Sequence, residues 1–330
     1  LVGRNVLEEK RLELTARGPS GSSLSIDIGW FGSVTPRNAL IHSSGIHGVE
    51  GFAGSAIQLQ LLDQLPAITK DHALIIAHIL NPFGMAWLRR ANESNADLNR
   101  NFIVEGQYSG APDNYSDVDL FLSPKSEPSR DFFLMKILFM VGRHGLTRLV
   151  QAVGGGQYEY PRGLFFGGKK LEEGLEKYHA FLKRGLSSTQ RVIGIDVHTG
   201  LGLFGRDLLL VERQDYAELR QIFGNRVTLS EPRFGPAYRI RGGLQHLVRN
   251  ALPATDLRFI MQEFGTHNPI KVLHTLREEN RWHHFGSATV AHHTKLALKN
   301  VFCPQSKRWR KRILARGREV AERALKVLAQ

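Results

Sequence analysis

His47 and Glu50, three residues apart in HSSGIHGVEGFAG, stand where a short apolar run gives way to a helical stretch. An imidazole nitrogen and a carboxylate oxygen are both zinc ligands, and residues three apart on a helical turn point to the same side. The pair can therefore grip one metal ion. On these residues alone, a surface histidine beside a helix-capping glutamate stays open as the other reading. A second imidazole, His198, closes the buried run of GIDVHTGLG, 194–202. Two histidines and one carboxylate, with a position left for water, make the catalytic zinc arrangement, whereas a structural zinc is closed by four protein ligands. Asp196 lies two residues before His198, on the same side of an extended strand, where it can orient the imidazole.

Two further stretches carry charge where chemistry could use it. Arg89, Arg90, Asn99 and Arg100 crowd into NPFGMAWLRRANESNADLNRNF, 81–102. Guanidinium forks pair with carboxylates or with a developing oxyanion, and a solvated loop cluster is the alternative. Glu263 sits among Phe259, Ile260, Met261 and Phe264. A carboxylate ending an apolar strand is costly unless paired or used, and a general base is one such use. GLFFGGKK, 163–170, falls short of a phosphate loop because Lys170 stands where Ser or Thr is needed for Mg²⁺. His283, His284, His292 and His293 come as adjacent pairs that point to different helix faces, and read as surface residues.

These groups need a scaffold that brings them together. Ala39–His42, Ala73–Leu80, Val192–Val197 and Phe259–Phe264 read as buried strands, and Glu50–Leu65 as a helix ended by Pro66. Buried strands separated by helices predict an α/β fold with helices on both faces of the sheet. Glu105–Pro128, rich in Ser, Asp and Pro, reads as a surface loop. No linker divides the 330 residues, so one domain over 1–330 is expected. With 42% hydrophobic and 23% charged residues the chain is of ordinary globular composition, which excludes disordered and fibrous classes. Cys303 is the only cysteine, so neither an internal disulfide nor a thiolate zinc site exists.

No run of eighteen apolar residues predicts a membrane span. Leu1–Arg11 lacks an apolar signal core, so a cytoplasmic location is expected, with a leader removed ahead of Leu1 left open. Of the net charge of +13, +7 belongs to 307–330, which also carries a helical stripe of Trp309, Ile313, Val320, Ala324 and Val327 or Leu328. This predicts a basic amphipathic C-terminal helix docked on the domain, and no specific nucleic acid partner. A basic helix for anionic membranes or nucleic acid is the alternative.

HGVEG at 47–51, NP-G at 81–84 with DLNRNF at 97–102, D-x-H-T-G at 196–200 and E-F-G-T at 263–266 resemble the carboxypeptidase A-type zinc peptidase superfamily. The sequence is most similar to its bacterial branch, domain of unknown function 2817. The resemblance implies a single α/β domain with a mixed, twisted central sheet. It implies one zinc per chain on His47, Glu50 and His198, with Glu263 as the base toward the water that zinc activates. Asn99 and Arg100 would hold a substrate carboxylate, Arg90 (or the adjacent Arg89) would polarise the scissile carbonyl, and Tyr238 would match a mobile tyrosine. The GLFFGGKK loop would border the site. The expected activity is a metallocarboxypeptidase acting on a peptide with a free carboxylate. An amidohydrolase of N-acyl amino acids, similar to aspartoacylase and succinylglutamate desuccinylase, is the alternative. A catalytically dead binding scaffold is the third reading. Side-chain preference and oligomeric state are not legible.

Overall fold

The computed structural model describes residues 8–65, 67–103, 107–112, 115–230, 241–287 and 289–330. Eight strands form one sheet: β1 (Glu8–Arg17), β2 (Ser23–Gly32), β3 (Asn38–Ser44), β4 (His72–His78), β5 (Arg191–Gly200), β6 (Asp207–Val211), β7 (Val227–Leu229) and β8 (Asp256–Gly265). Their order is β1-β2-β4-β3-β5-β8-β6-β7. The central four, β4, β3, β5 and β8, run parallel, while β1, β2 and β6 join antiparallel to their inner neighbours. The sheet is mixed. Period-two alternation explains its two covered faces: Ala73, Ile75 and Ala77 of β4 enter one core layer, Leu74 and Ile76 the other.

The helices among the described residues are α1 (Gly51–Asp63), α2 (Pro82–Ala86), α3 (Tyr115–Leu122), α4 (Phe133–His144), α5 (Leu146–Gly155), α6 (Glu173–Leu186), α7 (Arg213–Phe223), α8 (Leu244–Ala251), α9 (Pro269–Phe285), α10 (His293–Phe302) and α11 (Lys307–Leu328). Residues of α6 and α8 fill the layer on one face, and those of α1, α7 and α11 the layer on the other. A third apolar cluster joins α3, α4, α9 and α10 beside Val49. The C-terminal helix buries Trp309, Ile313, Val320, Ala324 and Leu328 and turns Lys307, Arg308, Lys311 and Arg312 to solvent.

Three expectations change. The helix after β3 starts with a 3-10 turn, Gly48–Glu50, and continues as α1 to Asp63; Pro66 lies outside the described residues. The loop expected over Glu105–Pro128 contains α3, because Tyr115, Val118, Phe121 and Leu122 form a buried stripe at helical spacing within a polar composition. His283 and His284 are half-buried on α9 instead of lying on the surface.

Candidate metal centre

Parallel strands end on one edge of a sheet, and the chemistry collects there. The C-terminal ends of β3, β5 and β8 are neighbours, and His198 on β5 pairs directly with Glu263 on β8. After β3 the chain turns at Gly45, whose φ of +68° suits glycine, and delivers His47. The turn that follows lies against α2 so closely that a Cβ on Gly48 would meet the Gly84 carbonyl carbon at 2.2 Å. Gly48 and Val49 N–H groups donate to the carbonyls of Arg90 and Arg89. That close approach sets Arg90 beside His47 and Glu50.

His47, Glu50 and His198 are buried, and one ligand atom from each lies within 4.8 Å of the others. His47 Nδ1 is 3.0 Å from Glu50 Oε1, and His198 Nδ1 is 3.7 Å from Glu50 Oε2. Glu50 also accepts from the Thr199 N–H at 2.9 Å. Each imidazole is held from behind by its own carboxylate: His47 Nε2 lies 3.0 Å from Asp97 Oδ1, and His198 Nε2 lies 2.6 Å from Asp196 Oδ2. Ser43 Oγ donates to the other Asp196 oxygen at 2.6 Å. Such a partner fixes the ring so that Nδ1 turns its lone pair to the shared point.

Two observations test whether a metal fits. His47 Nδ1 is buried and makes no hydrogen bond, although it faces Glu50. Four buried carboxylates (Glu50, Asp97, Asp196 and Glu263) gather around two neutralising guanidiniums, Arg90 and Arg100, so the centre favours additional positive charge. The donor set and its charge fit a divalent cation such as zinc.

Electrostatics separate the acids. Burial alone would push Asp97 up, yet Arg100, Arg90 and His47 hold it well below the usual carboxylate range. Burial, followed by the Glu50 charge, pushes Glu263 up to about 7 against His198 and the Leu201 N–H, which donates to its Oε1 at 2.8 Å. Burial would depress His198, but Asp196 and then Glu50 and Glu263 raise it to about 9, so a metal arriving at its Nδ1 competes with a proton.

The arginines part company. Arg90 donates to Asp97 Oδ2 and Glu50 Oε1, both at 3.0 Å, and lies 2.7 Å from His47 Nε2. Its side chain is 12% exposed. Arg89, the residue before it, whose carbonyl meets the same turn, points its side chain elsewhere: it is buried against Glu279 at 3.0 Å, Asn95 and Asn280. The structure does not bring Arg89 to the metal cluster, because consecutive side chains leave the chain on different sides. Arg100 bonds Asp97 Oδ2 and the Gly154 carbonyl, both at 2.6 Å, and is fully enclosed. Asn99 Oδ1 accepts the Leu244 N–H at the start of α8. Phe165 of the GLFFGGKK stretch packs its ring at 5.5 Å from the Arg90 guanidinium carbon and 5.3 Å from that of Arg100. Tyr238 lies outside the described residues.

Asp97 is the group that sequence reasoning missed. It binds His47, Arg90, Arg100 and the Asn99 N–H at once. Its one signal was its place at the head of DLNRNF.

Fold and site together define an α/β protein with a buried His-Glu-His centre that can hold a metal. The chain belongs to the family described as protein of unknown function DUF2817, whose model matches residues 5–316. No curated protein matches it. Among solved structures it is similar to a carboxypeptidase A from Helicoverpa armigera, at 12% identity and TM-score 0.42, over 92% of this chain and 70% of that one. It is similar to a murein-tripeptide amidase from Escherichia coli O157, at 17% identity and TM-score 0.41, over 85% and 94%. A succinylglutamate desuccinylase from Silicibacter sp. TM1040 matches at 13% identity and TM-score 0.41, over 87% and 69%.

Proposed function

We propose that this chain is a zinc-dependent hydrolase of amide bonds that releases the C-terminal residue of a peptide. The observation that supports it is the convergence of His47, Glu50 and His198 on one point, with Glu263 paired to His198 across the strand ends. Zinc held by those three side chains would polarise the scissile carbonyl and make water nucleophilic at neutral pH. Glu263, with its carboxyl pushed up to about 7, takes a proton near neutral pH and returns it to the leaving nitrogen. The Leu201 N–H holds that carboxylate through Oε1. Arg90 is the least enclosed of the three arginines and meets the developing oxyanion, exchanging its contact with Glu50 for the substrate oxygen.

Asn99 and Arg100 are the pair proposed to hold the substrate carboxylate. Reaching Arg100 requires the segment at Gly154–Gly156 to open, since Gly154 bonds the guanidinium and a Cβ on Gly156 would meet Arg100 Cδ at 2.4 Å. The same enclosure favours a small substrate and supports the second reading, hydrolysis of an N-acyl amino acid.

Two measurements test the proposal. Glu263→Gln should keep about the parent's zinc content and lose about 10²–10⁴-fold in rate; loss of zinc would make Glu263 a ligand, and full activity would make another group the base. Each peptide should also outrun its C-terminal amide by at least ~100-fold, because a guanidinium forms a charge-assisted pair with a carboxylate that a neutral amide cannot replace. Equal turnover of acid and amide rejects carboxylate anchoring. Turnover of N-acyl amino acids without peptides selects the second reading.

A further inference from the structure

Helix α4 is apolar on two sides. Its inner stripe, Phe133 and Met140 with Ile137 and Val141 beside them, enters the third core cluster. Phe133 stacks on Phe121 with centroids 5.3 Å apart, and Asp131 just ahead of the helix is paired with Arg277 of α9. The inner side is therefore anchored to the body. The outer stripe is Leu134, Met135, Leu138 and Phe139, each between 62% and 67% exposed. Phe132 at 81% and Leu146 at 62% extend it at either end. Positions i, i+1, i+4 and i+5 share one helix face, and a helix facing water alone carries polar residues there. An exposed apolar face of this size marks an interaction surface.

Charge says what covers it. Residues 132–155, which span α4 and α5, contain Lys136, Arg143 and Arg148 and no Asp or Glu. Lys136 and Arg143 are 51% and 59% exposed and sit at the rim, 3.2 Å from Asp131 and 3.5 Å from Asp117 respectively. Apolar tips flanked by basic stems that can snorkel suit an interface between hydrocarbon and anionic headgroups. A second copy of the chain suits it poorly: a two-fold contact would set the basic hairpin against itself, and the rim carboxylates Asp131 and Asp117 already face Lys136 and Arg143 of their own copy. The chain as a whole carries +13.

We propose that the α4–α5 hairpin seats this protein on the surface of an anionic phospholipid bilayer, lying in the interface and not crossing it. The 12 residues of α4 reach about 18 Å at ~1.5 Å per residue, short of the ~30 Å hydrocarbon core. No helix among the described residues is long and apolar enough to span.

The experiment is flotation of the whole protein with phosphatidylcholine vesicles, prepared with and without phosphatidylglycerol. The parent is compared with one variant carrying Leu138→Ser and Phe139→Ser. Both positions are exposed, so the variant should keep the parent's circular dichroism and unfolding midpoint. The parent should float with the phosphatidylglycerol vesicles, less with phosphatidylcholine alone, and the variant should partition at least about 10-fold more weakly. Absence of flotation, or flotation undiminished in the variant, overturns the proposal. Equal binding to both vesicle types overturns its anionic part. A parent dimer in sedimentation that the variant dissociates, without flotation, would show that the face pairs two copies instead.

Discussion

At the residue scale the centre depends on one carboxylate that belongs to no strand end. Asp97 takes His47 Nε2 and both Arg90 and Arg100, so it sets the His47 ring and the two guanidiniums in one stroke. When Nε2–H donates to Asp97, Nδ1 is free for a metal. When Arg90 donates to Nε2, the proton moves to Nδ1 and competes. Asp97→Asn keeps the shape and removes the charge that favours the first arrangement. Zinc affinity, measured by competition with a chelator, should fall about 10–100-fold. Unchanged affinity would mean that Arg90 alone is enough to position His47.

At the element scale the helix farthest along the chain supports the strand that carries Glu263. Trp309 of α11 is fully buried in the layer with Ile195, Val197 and Phe264, and its Nε1 donates to the Gly265 carbonyl at 2.8 Å. Gln262 reaches back to the Arg316 carbonyl, and Asn38 at the start of β3 donates to that of Leu328. Removing the indole leaves a cavity behind β8 and takes away one of the two hydrogen bonds that the Gly265 carbonyl accepts, the Gly205 N–H keeping the other. Trp309→Ala should cost about 3–5 kcal/mol in denaturant unfolding. A loss below about 1 kcal/mol would show that the helix is only loosely applied. The basic side chains of α11 face away from this contact, so neutralising Lys307 and Arg308 should leave the unfolding midpoint in place.

At the scale of the whole molecule, acid should weaken the fold through three histidines that stay neutral when folded, with Glu263, pushed up to about 7, opposing them as a single group. Burial pushes His42 down to about 4; burial, then Arg89, Lys295 and His284, pushes His283 to about 2. His284 goes to about 4 through burial and Arg89, with Glu279 opposing and Arg162 and Lys295 adding. In the unfolded chain each takes a proton near 6.5. Between 6.5 and about 4 the unfolded state therefore binds more protons than the folded one, and stability falls as pH drops through that window. The slope has a ceiling of about 1.4 kcal/mol per pH unit for each histidine. Urea midpoints at successive pH values should show the decline, and His283→Asn should make it shallower. A midpoint flat from neutrality to pH about 5 would mean that these rings are charged or open to water in the folded state.

What the sequence determined by itself is what depends on neighbours along the chain. Continuous apolar runs placed β3, β4, β5 and β8, since a strand covered on both faces must be apolar on both. Spacing of three joined His47 to Glu50, and spacing of two joined Asp196 to His198, because backbone geometry puts such residues on one side. Contacts between distant segments followed no local rule. His47 meets Asp97 fifty residues on, and Arg89 meets Glu279 across 190 residues. Nothing in the adjacent pair Arg89-Arg90 tells which enters the centre; the close approach of Gly48 to Gly84 decides it. β1, at the edge, and β2 beside it escaped notice because their mixed polarity leaves no long apolar run, and α3 because its stripe is short within polar surroundings. The enclosure of Arg100 beneath Gly154 and Gly156 was likewise invisible, because burial is a property of what packs above a residue and not of the residue itself.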